Sequence, residues 1–379
     1  MSILIFFIIL SALVIVHELG HFLMAKYFDI RVDEFGLGYP PRARKLFRWR
    51  GTDFTLNWLP FGGFVKIYGE NPAESLMAET ELPLTKSSDF SSKNGQTLLK
   101  AIQFPQDNFQ SKNKGIQASV LVAGVFFNFL FAWLLLSLAL MTGLPAPQGI
   151  SLPLQNEKTM ITAVVPGSPA ELAGLKSGDV IYSIDGLPVS PEEASEKIRN
   201  SNGPLRFVID RGGDLLEKSV TPSDSVLVGQ KAVGIAMDVV GTARVSFFSA
   251  IYHGLRLTWA LTLATASALG TFVIEGITGK GDLSQVTGPV GLVGITGEVA
   301  GLGWGYLLSF VALISINLSI INLVPFPALD GGRLLFVAIE TLIRKRVPAK
   351  IFNISNTVGF ALLIFLMILI TIRDVRNIF

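Results

Sequence analysis

Residues 1–28 read MSILIFFIILSALVIVHELGHFLMAKYF, and His17-Glu18-Leu19-Gly20-His21 within them decides how the rest of the chain is read. Sixteen uncharged, mostly apolar residues precede His17, and the helical pattern runs on through Tyr27, so the segment reads as a retained membrane helix rather than a removable leader. On a helix, positions i and i+4 share a face, so both imidazoles reach one ion. Neutral imidazole suits zinc, and a glutamate beside it suits a general base. Ionisable groups inside a span cost about 2.5–3.5 kcal/mol each at mid-bilayer and are usually functional. His17 and His21 are two of only three histidines in the chain, the third being His253.

The remaining composition agrees with a membrane setting. Of 379 residues, 50% are hydrophobic and 16% charged, against about 25% charged in soluble proteins. A net charge of +2 implies no polyanionic partner and no nucleic acid. With no cysteine, disulfide frameworks, thiolate nucleophiles and Cys-ligated zinc are excluded. Uncharged stretches predict spans at about 2–25, 118–142, 306–328 and 353–372. A fifth, Leu257 to Ile274, is richer in Thr, Ala and Ser and is expected to lie along the interface. The segment 26–116 carries 13 Lys and Arg, and Arg344, Lys345, Arg346 and Lys350 follow the third span. The positive-inside rule puts both loops in the cytoplasm and leaves the termini and residues 143–305 outside. Arg373 and Arg376 mildly oppose that orientation.

Within the basic segment, Phe54, Leu56 and Trp58 alternate with Thr55 and Asn57, Gly62-Gly63 make a turn, and Phe64 to Tyr68 resume the alternation, so 52–68 is expected to form strands. Such strands at membrane depth must be buried in protein or line a cavity. Residues 71–115 read as a polar loop. Residues 148–242 form a water-soluble insert whose turns, short helices and strands, including the run Pro166-Gly167-Ser168-Pro169-Ala170 through Gly178-Asp179, closely resemble a PDZ domain of the bacterial protease type. That resemblance implies binding of extended peptides at a sheet edge.

A catalytic zinc wants three protein ligands and one open position. His253 is one candidate for the third, but it follows the outward insert. Asp330 is the better one, closing the third span in Asn322-Leu323-Val324-Pro325-Phe326-Pro327-Ala328-Leu329-Asp330-Gly331-Gly332, where two prolines break the helix and two glycines allow a tight return.

These motifs, in this order along nearly the whole chain, resemble the site-2 proteases, zinc intramembrane metalloproteases, and most of all the bacterial envelope-stress type with a single PDZ domain. The resemblance implies that His17, His21 and Asp330 bind Zn2+, that Glu18 is the catalytic base, and that 52–68 is a re-entrant β-hairpin. It also implies that Asn322, Pro325 and Pro327, with Gly62, Gly63 and Phe64 of the hairpin, handle substrate. Two positions depart from the family pattern. Ala123-Gly124-Val125-Phe126-Phe127-Asn128 keeps the asparagine but lacks a proline after Gly124, and Arg333 stands where many relatives have His.

The expected architecture is a polytopic α-helical membrane protein with about four transmembrane helices, a membrane-associated β-hairpin and an inserted α+β PDZ domain. Its parts are 1–147 (first membrane half), 148–242 (extracytoplasmic PDZ domain), 243–305 (interfacial amphipathic linker) and 306–379 (second membrane half). The expected activity is hydrolysis of peptide bonds in or near the transmembrane helix of single-span proteins already cleaved by another protease, in regulated intramembrane proteolysis such as release of an anti-sigma factor or of signal-peptide remnants. The expected location is the bacterial plasma membrane, in contact with the lipid bilayer, with the active site toward the cytoplasm. A PDZ-bearing scaffold with a vestigial metal site has no need of Glu18. A transporter predicts internal repeats and further midplane charges, and neither is seen.

Overall fold

The computed structural model describes residues 2–71, 106–147, 153–227, 230–279 and 287–378. Cα packing divides the chain into two units, 1–133 with 257–297 and 311–379, and 134–256 with 298–310.

The first unit is built on helices. α1 (Ser2–Tyr27) stops where Asp29 takes a left-handed conformation, φ 52°, and the Ile30 N–H donates to the Ala25 carbonyl at 2.9 Å. That six-to-one bond satisfies an end carbonyl, and Ile30, fully buried, anchors the turn. The chain then enters β1 (Val32–Trp49) and β2 (Thr52–Ile67). These long strands fold back on themselves. Val32–Leu37 pair with Gly63–Ile67, Arg42–Trp49 pair with Thr52–Asn57, and Glu34–Leu37 also face Asp53–Leu56. Phe22 of α1 packs edge-on against Phe35 and Phe54, tying the sheet to the helix.

Sequence reasoning expected strands only at 52–68 and read the preceding segment as a basic loop. Its alternation is hidden by repeated register shifts and by Arg42, Arg44, Lys45, Arg48 and Arg50, which all stay exposed. The Gly62-Gly63 turn is a local feature within β2, with Gly62 at φ 74°. Most of the expected loop 71–115 lies outside the described residues.

α2 (Lys114–Thr142) runs antiparallel to α1, because Gly20 meets Ala123 and Gly124 while His21 meets Val120. The second unit follows from the end of this helix. Its six-stranded sheet has the order β3-β10-β4-β5-β6-β7, from β3 (Leu144–Pro147), β4 (Leu154–Val164), β5 (Val180–Ile184), β6 (Leu205–Arg211), β7 (Asp214–Val220) and β10 (Ile235–Ala243). A small pair, β8 (Ser223–Leu227) and β9 (Gln230–Ala232), stands apart. Helices α3 (Pro169–Leu172) and α4 (Pro191–Asn200) each begin with a serine cap and a proline in the first turn, and Ser190 with Glu193 completes a capping box.

The core joins Ile161, Ile184, Phe207 and Ile209 with Ile198 of α4. Beneath it, buried Asp179 accepts from Arg211 Nε at 2.6 Å and Nη2 at 2.7 Å and from the Lys176 backbone N–H at 2.8 Å. Those bonds give the Gly178-Asp179 pair its structural job. Pro145 and Pro147 lie on edge strand β3, where a missing N–H blunts further pairing.

α5 (Phe247–Ile277), α6 (Pro289–Leu302), α7 (Trp304–Leu323), α8 (Asp330–Ile343) and α9 (Ala349–Ile378) complete the chain. α5 starts ten residues before the expected 257–274. α7 is shorter than the expected 306–328, because Pro325 and Pro327 cannot continue its hydrogen bonding. In the first unit Ser315 and Ser319 of α7 donate to the Asn128 and Val125 carbonyls at 2.8 and 3.0 Å, so α7 runs antiparallel to α2 and in the sense of α1. Asn356 of α9 accepts from the Ala328 N–H, while Asp374 at the other end accepts from the Gly291 N–H at 3.0 Å. Among the described residues α1, α2, α5, α7 and α9 are long and apolar enough to cross a membrane.

Candidate metal centre

α1 contributes His17, Glu18 and His21 from its C-terminal half. The helix pair that flanks them is unusually close: a Cβ on Gly20 would collide with the Ala123 carbonyl, and a Cβ on Gly124 would collide with both imidazoles. Only glycine at these two positions lets α2 lie against the histidine face. The absence of a proline after Gly124 leaves the approach of α2 intact.

Asp330 arrives by a different route. After α7 ends, Ala328 turns the chain with φ 75°, and Gly331 and Gly332 press against the carbonyls of Leu323, Val324 and Phe326. This compact return points the first side chain of α8 at α1. His17 Nε2 lies 2.9 Å from Asp330 Oδ2, His21 Nε2 lies 3.2 Å from it, and the two Nε2 atoms are 3.1 Å apart. Among the described residues these three form the one group of His, Asp or Glu side chains able to hold a metal ion. His253 is not part of it.

The donor set fits zinc. Bonds of 2.0–2.2 Å to nitrogen and oxygen in a tetrahedron separate ligand atoms by about 3.3 Å, so each donor needs to move only a few tenths of an ångström. His21 Nδ1 is 2.8 Å from the Val120 carbonyl oxygen, which can only accept. The ring proton is thereby held on Nδ1, and Nε2 keeps a free lone pair.

The site opens into a cavity of about 410 Å³ lined by His17, Glu18, His21, Asp330, Phe64, Val65, Asn322, Tyr39, Glu70 and Arg333, among others. Glu18 Oε2 accepts a hydrogen bond from the Val65 backbone N–H at 3.1 Å, on the edge of β2 that faces away from β1. Of the residues expected to handle substrate, Asn322 and Phe64 line this cavity. Gly62, Gly63, Pro325 and Pro327 do not. Gly62 donates to Ser11 Oγ, Gly63 lies against the Gly36 carbonyl, and Pro327 lies against Gly359. Arg333 forms an ion pair with Glu70 at the cavity wall, a partnership with no signal in the sequence because Glu70 is 263 residues away.

Comparison with known proteins gives the family. The model for peptidase family M50 matches residues 5–366, and the chain belongs to that family, the site-2 proteases. It is 36% identical over 372 residues to a Clostridium perfringens protein, covering 96% of each chain. It is 31% identical over 431 aligned positions to the zinc metalloprotease RasP of Geobacillus kaustophilus, covering 100% of this chain and 98% of that one. It is 29% identical over 429 positions to the regulator of sigma-W protease RasP of Bacillus subtilis, covering 99% and 98%. The chain is thus a zinc metalloprotease and an integral membrane protein with a β-rich part.

Proposed function

We propose that the protein is an intramembrane endopeptidase in which His17, His21 and Asp330 hold the catalytic zinc and Glu18 is the base. What carries this reading is the convergence of three ligand atoms from α1 and α8 beside a glutamate in one cavity among apolar helices. Bound zinc supplies Lewis acidity and brings the pKa of a water it holds toward 7. Glu18 receives a proton at its carboxylate and returns it to the leaving amine. Asn322 offers its amide to the substrate backbone. The outer edge of β2 beside Phe64 pairs with the substrate stretch, which must be unwound because a helix hides its carbonyls in its own hydrogen bonds. The test is zinc stoichiometry and cleavage of a single-span model substrate by the wild type, His17→Ala, Glu18→Gln and Asp330→Asn. Normal zinc and turnover in Asp330→Asn would move the third ligand elsewhere, and His253→Ala would be the next variant.

The same reading extends to the substrate and the parts of the chain. The substrate is the membrane segment of a single-span protein already trimmed by another protease, and the name of the Bacillus subtilis relative favours an anti-sigma factor. Residues 148–242 act as a PDZ domain outside the plasma membrane. Among the described residues Ile235–Val239 of β10 pair only with β4, which leaves their other edge for an added peptide strand. The zinc site faces the cytoplasm.

Parity keeps 257–274 from being a lone crossing. α1 and α7 run in the same sense with α2 between them, so whatever joins α2 to α7 must begin and end on one side. Single cysteines at Leu255 and Glu275, both exposed, should react with an impermeant thiol reagent from outside the cell. Reaction from opposite faces would overturn the interfacial assignment.

A further inference from the structure

The two histidines are held in different ways. His21 is oriented by a backbone carbonyl that no substitution can remove. His17 is not. Its Nδ1 lies 3.3 Å from Asn128 Nδ2, and Asn128 is fully buried in α2 with no partner for its Oδ1 among the described residues.

If His17 Nε2 binds a metal, its proton sits on Nδ1 and must be donated. A donor facing the amide NH2 leaves two donors opposed and a buried oxygen unpaired, which is costly away from water. A half-turn of the amide exchanges its oxygen and nitrogen at nearly the same atomic positions. It cures both faults at once: Nδ1–H then donates to Oδ1. A shift of a few tenths of an ångström brings the pair into ordinary hydrogen-bond range.

We propose that Asn128 is the positioning residue for His17, its side-chain oxygen fixing the ring so that Nε2 faces the zinc. The surroundings suit that task. Ser315 Oγ donates to the Asn128 carbonyl at 2.8 Å and Ser319 Oγ to the Val125 carbonyl at 3.0 Å, which clamps this turn of α2 against α7. Gly124, one turn earlier on the same face, leaves room for the rings. The inference rests on His17 being a zinc ligand.

The experiment measures the zinc dissociation constant of the full detergent-solubilised chain by competition with a chelator of known affinity. Asn128→Leu should weaken zinc by about 10–100-fold, as loss of an outer-shell partner does. Asn128→Ala takes its place if the leucine variant does not stay monodisperse. Asn128→Asp keeps an acceptor and should stay within a few-fold of wild type. Ser315→Ala loosens the clamp but leaves the His17 contact, and should weaken zinc far less than Asn128→Leu does. Wild-type affinity in Asn128→Leu would overturn the proposal. So would equal weakening in Ser315→Ala, which would make the effect one of packing, or failure of Asn128→Asp to recover binding. Unchanged affinity in His17→Ala would sink the ligand assignment first, and this inference with it.

Discussion

In the β-rich unit the fully buried positions include Ile161, Ile184, Phe207 and Ile209, while α4 beside them turns Glu192, Glu196 and Arg199 outward. The helical unit buries His17, His21, Asn128, Thr296, Ser315 and Ser319, and leaves Phe360, Phe365 and Leu366 of α9 exposed. One unit is sorted by water. The other is sorted by lipid, which makes an outward Phe cheap and an unpartnered inward amide expensive. In the helical unit, close approach comes from small residues such as Gly20 and Gly124, and specificity from hydrogen bonds between helices. In the β unit close packing comes mainly from side-chain volume, with the buried Asp179–Arg211 pair as its polar exception.

The contrast can be broken by substitution. Glu18→Gln should lower cleavage of a single-span substrate by about 10²–10⁴-fold with zinc retained, because it removes a proton acceptor and no ligand. Appreciable turnover would remove Glu18 as the base. Phe207→Ala should destabilise the β unit by about 3–5 kcal/mol, seen as early protease nicking within 154–243 on heating. Zinc content should not follow it. Gly124→Ala should leave the β unit's transition unchanged yet weaken zinc by at least about 10-fold, since its methyl group would displace the two ligand rings. If it instead binds zinc normally, the two helices have more freedom than their contact implies. The smallest effect belongs to Phe365→Ala on α9, within about 0.5 kcal/mol in a bilayer. A loss comparable with Phe207→Ala would mean that this face of α9 is packed against protein.

The metal chemistry of α1 is legible in the sequence because it is local: four residues of spacing suffice to bring two imidazoles together. The insert is legible too, since Ser168, Pro169, Ser190 and Pro191 announce their helices and the Gly178-Asp179 turn has one structural use. Asp330 is suggested by the broken helix before it, but its distance from His17 could not be read from spacing. β1 is not legible, because its cations and register shifts hide the two-residue period. Nor is Asn128, an amide in an apolar run whose significance comes only from the ring that it faces. Arg333 and Glu70 are likewise a product of the fold.

The His17–Asp330 contact spans 313 residues of chain. Synthesis at about 5–20 residues per second puts roughly 15–60 seconds between the appearance of one partner and the other. Throughout that interval α1 can sit in the bilayer with two histidines and a glutamate but without the carboxylate that closes the group. A chain that stalls or is cut anywhere before residue 330 therefore carries an unfinished centre. The order of the sequence itself acts as a timer, withholding the complete constellation until the β-rich insert and three of the long apolar helices before α8 have followed α1 out of the ribosome.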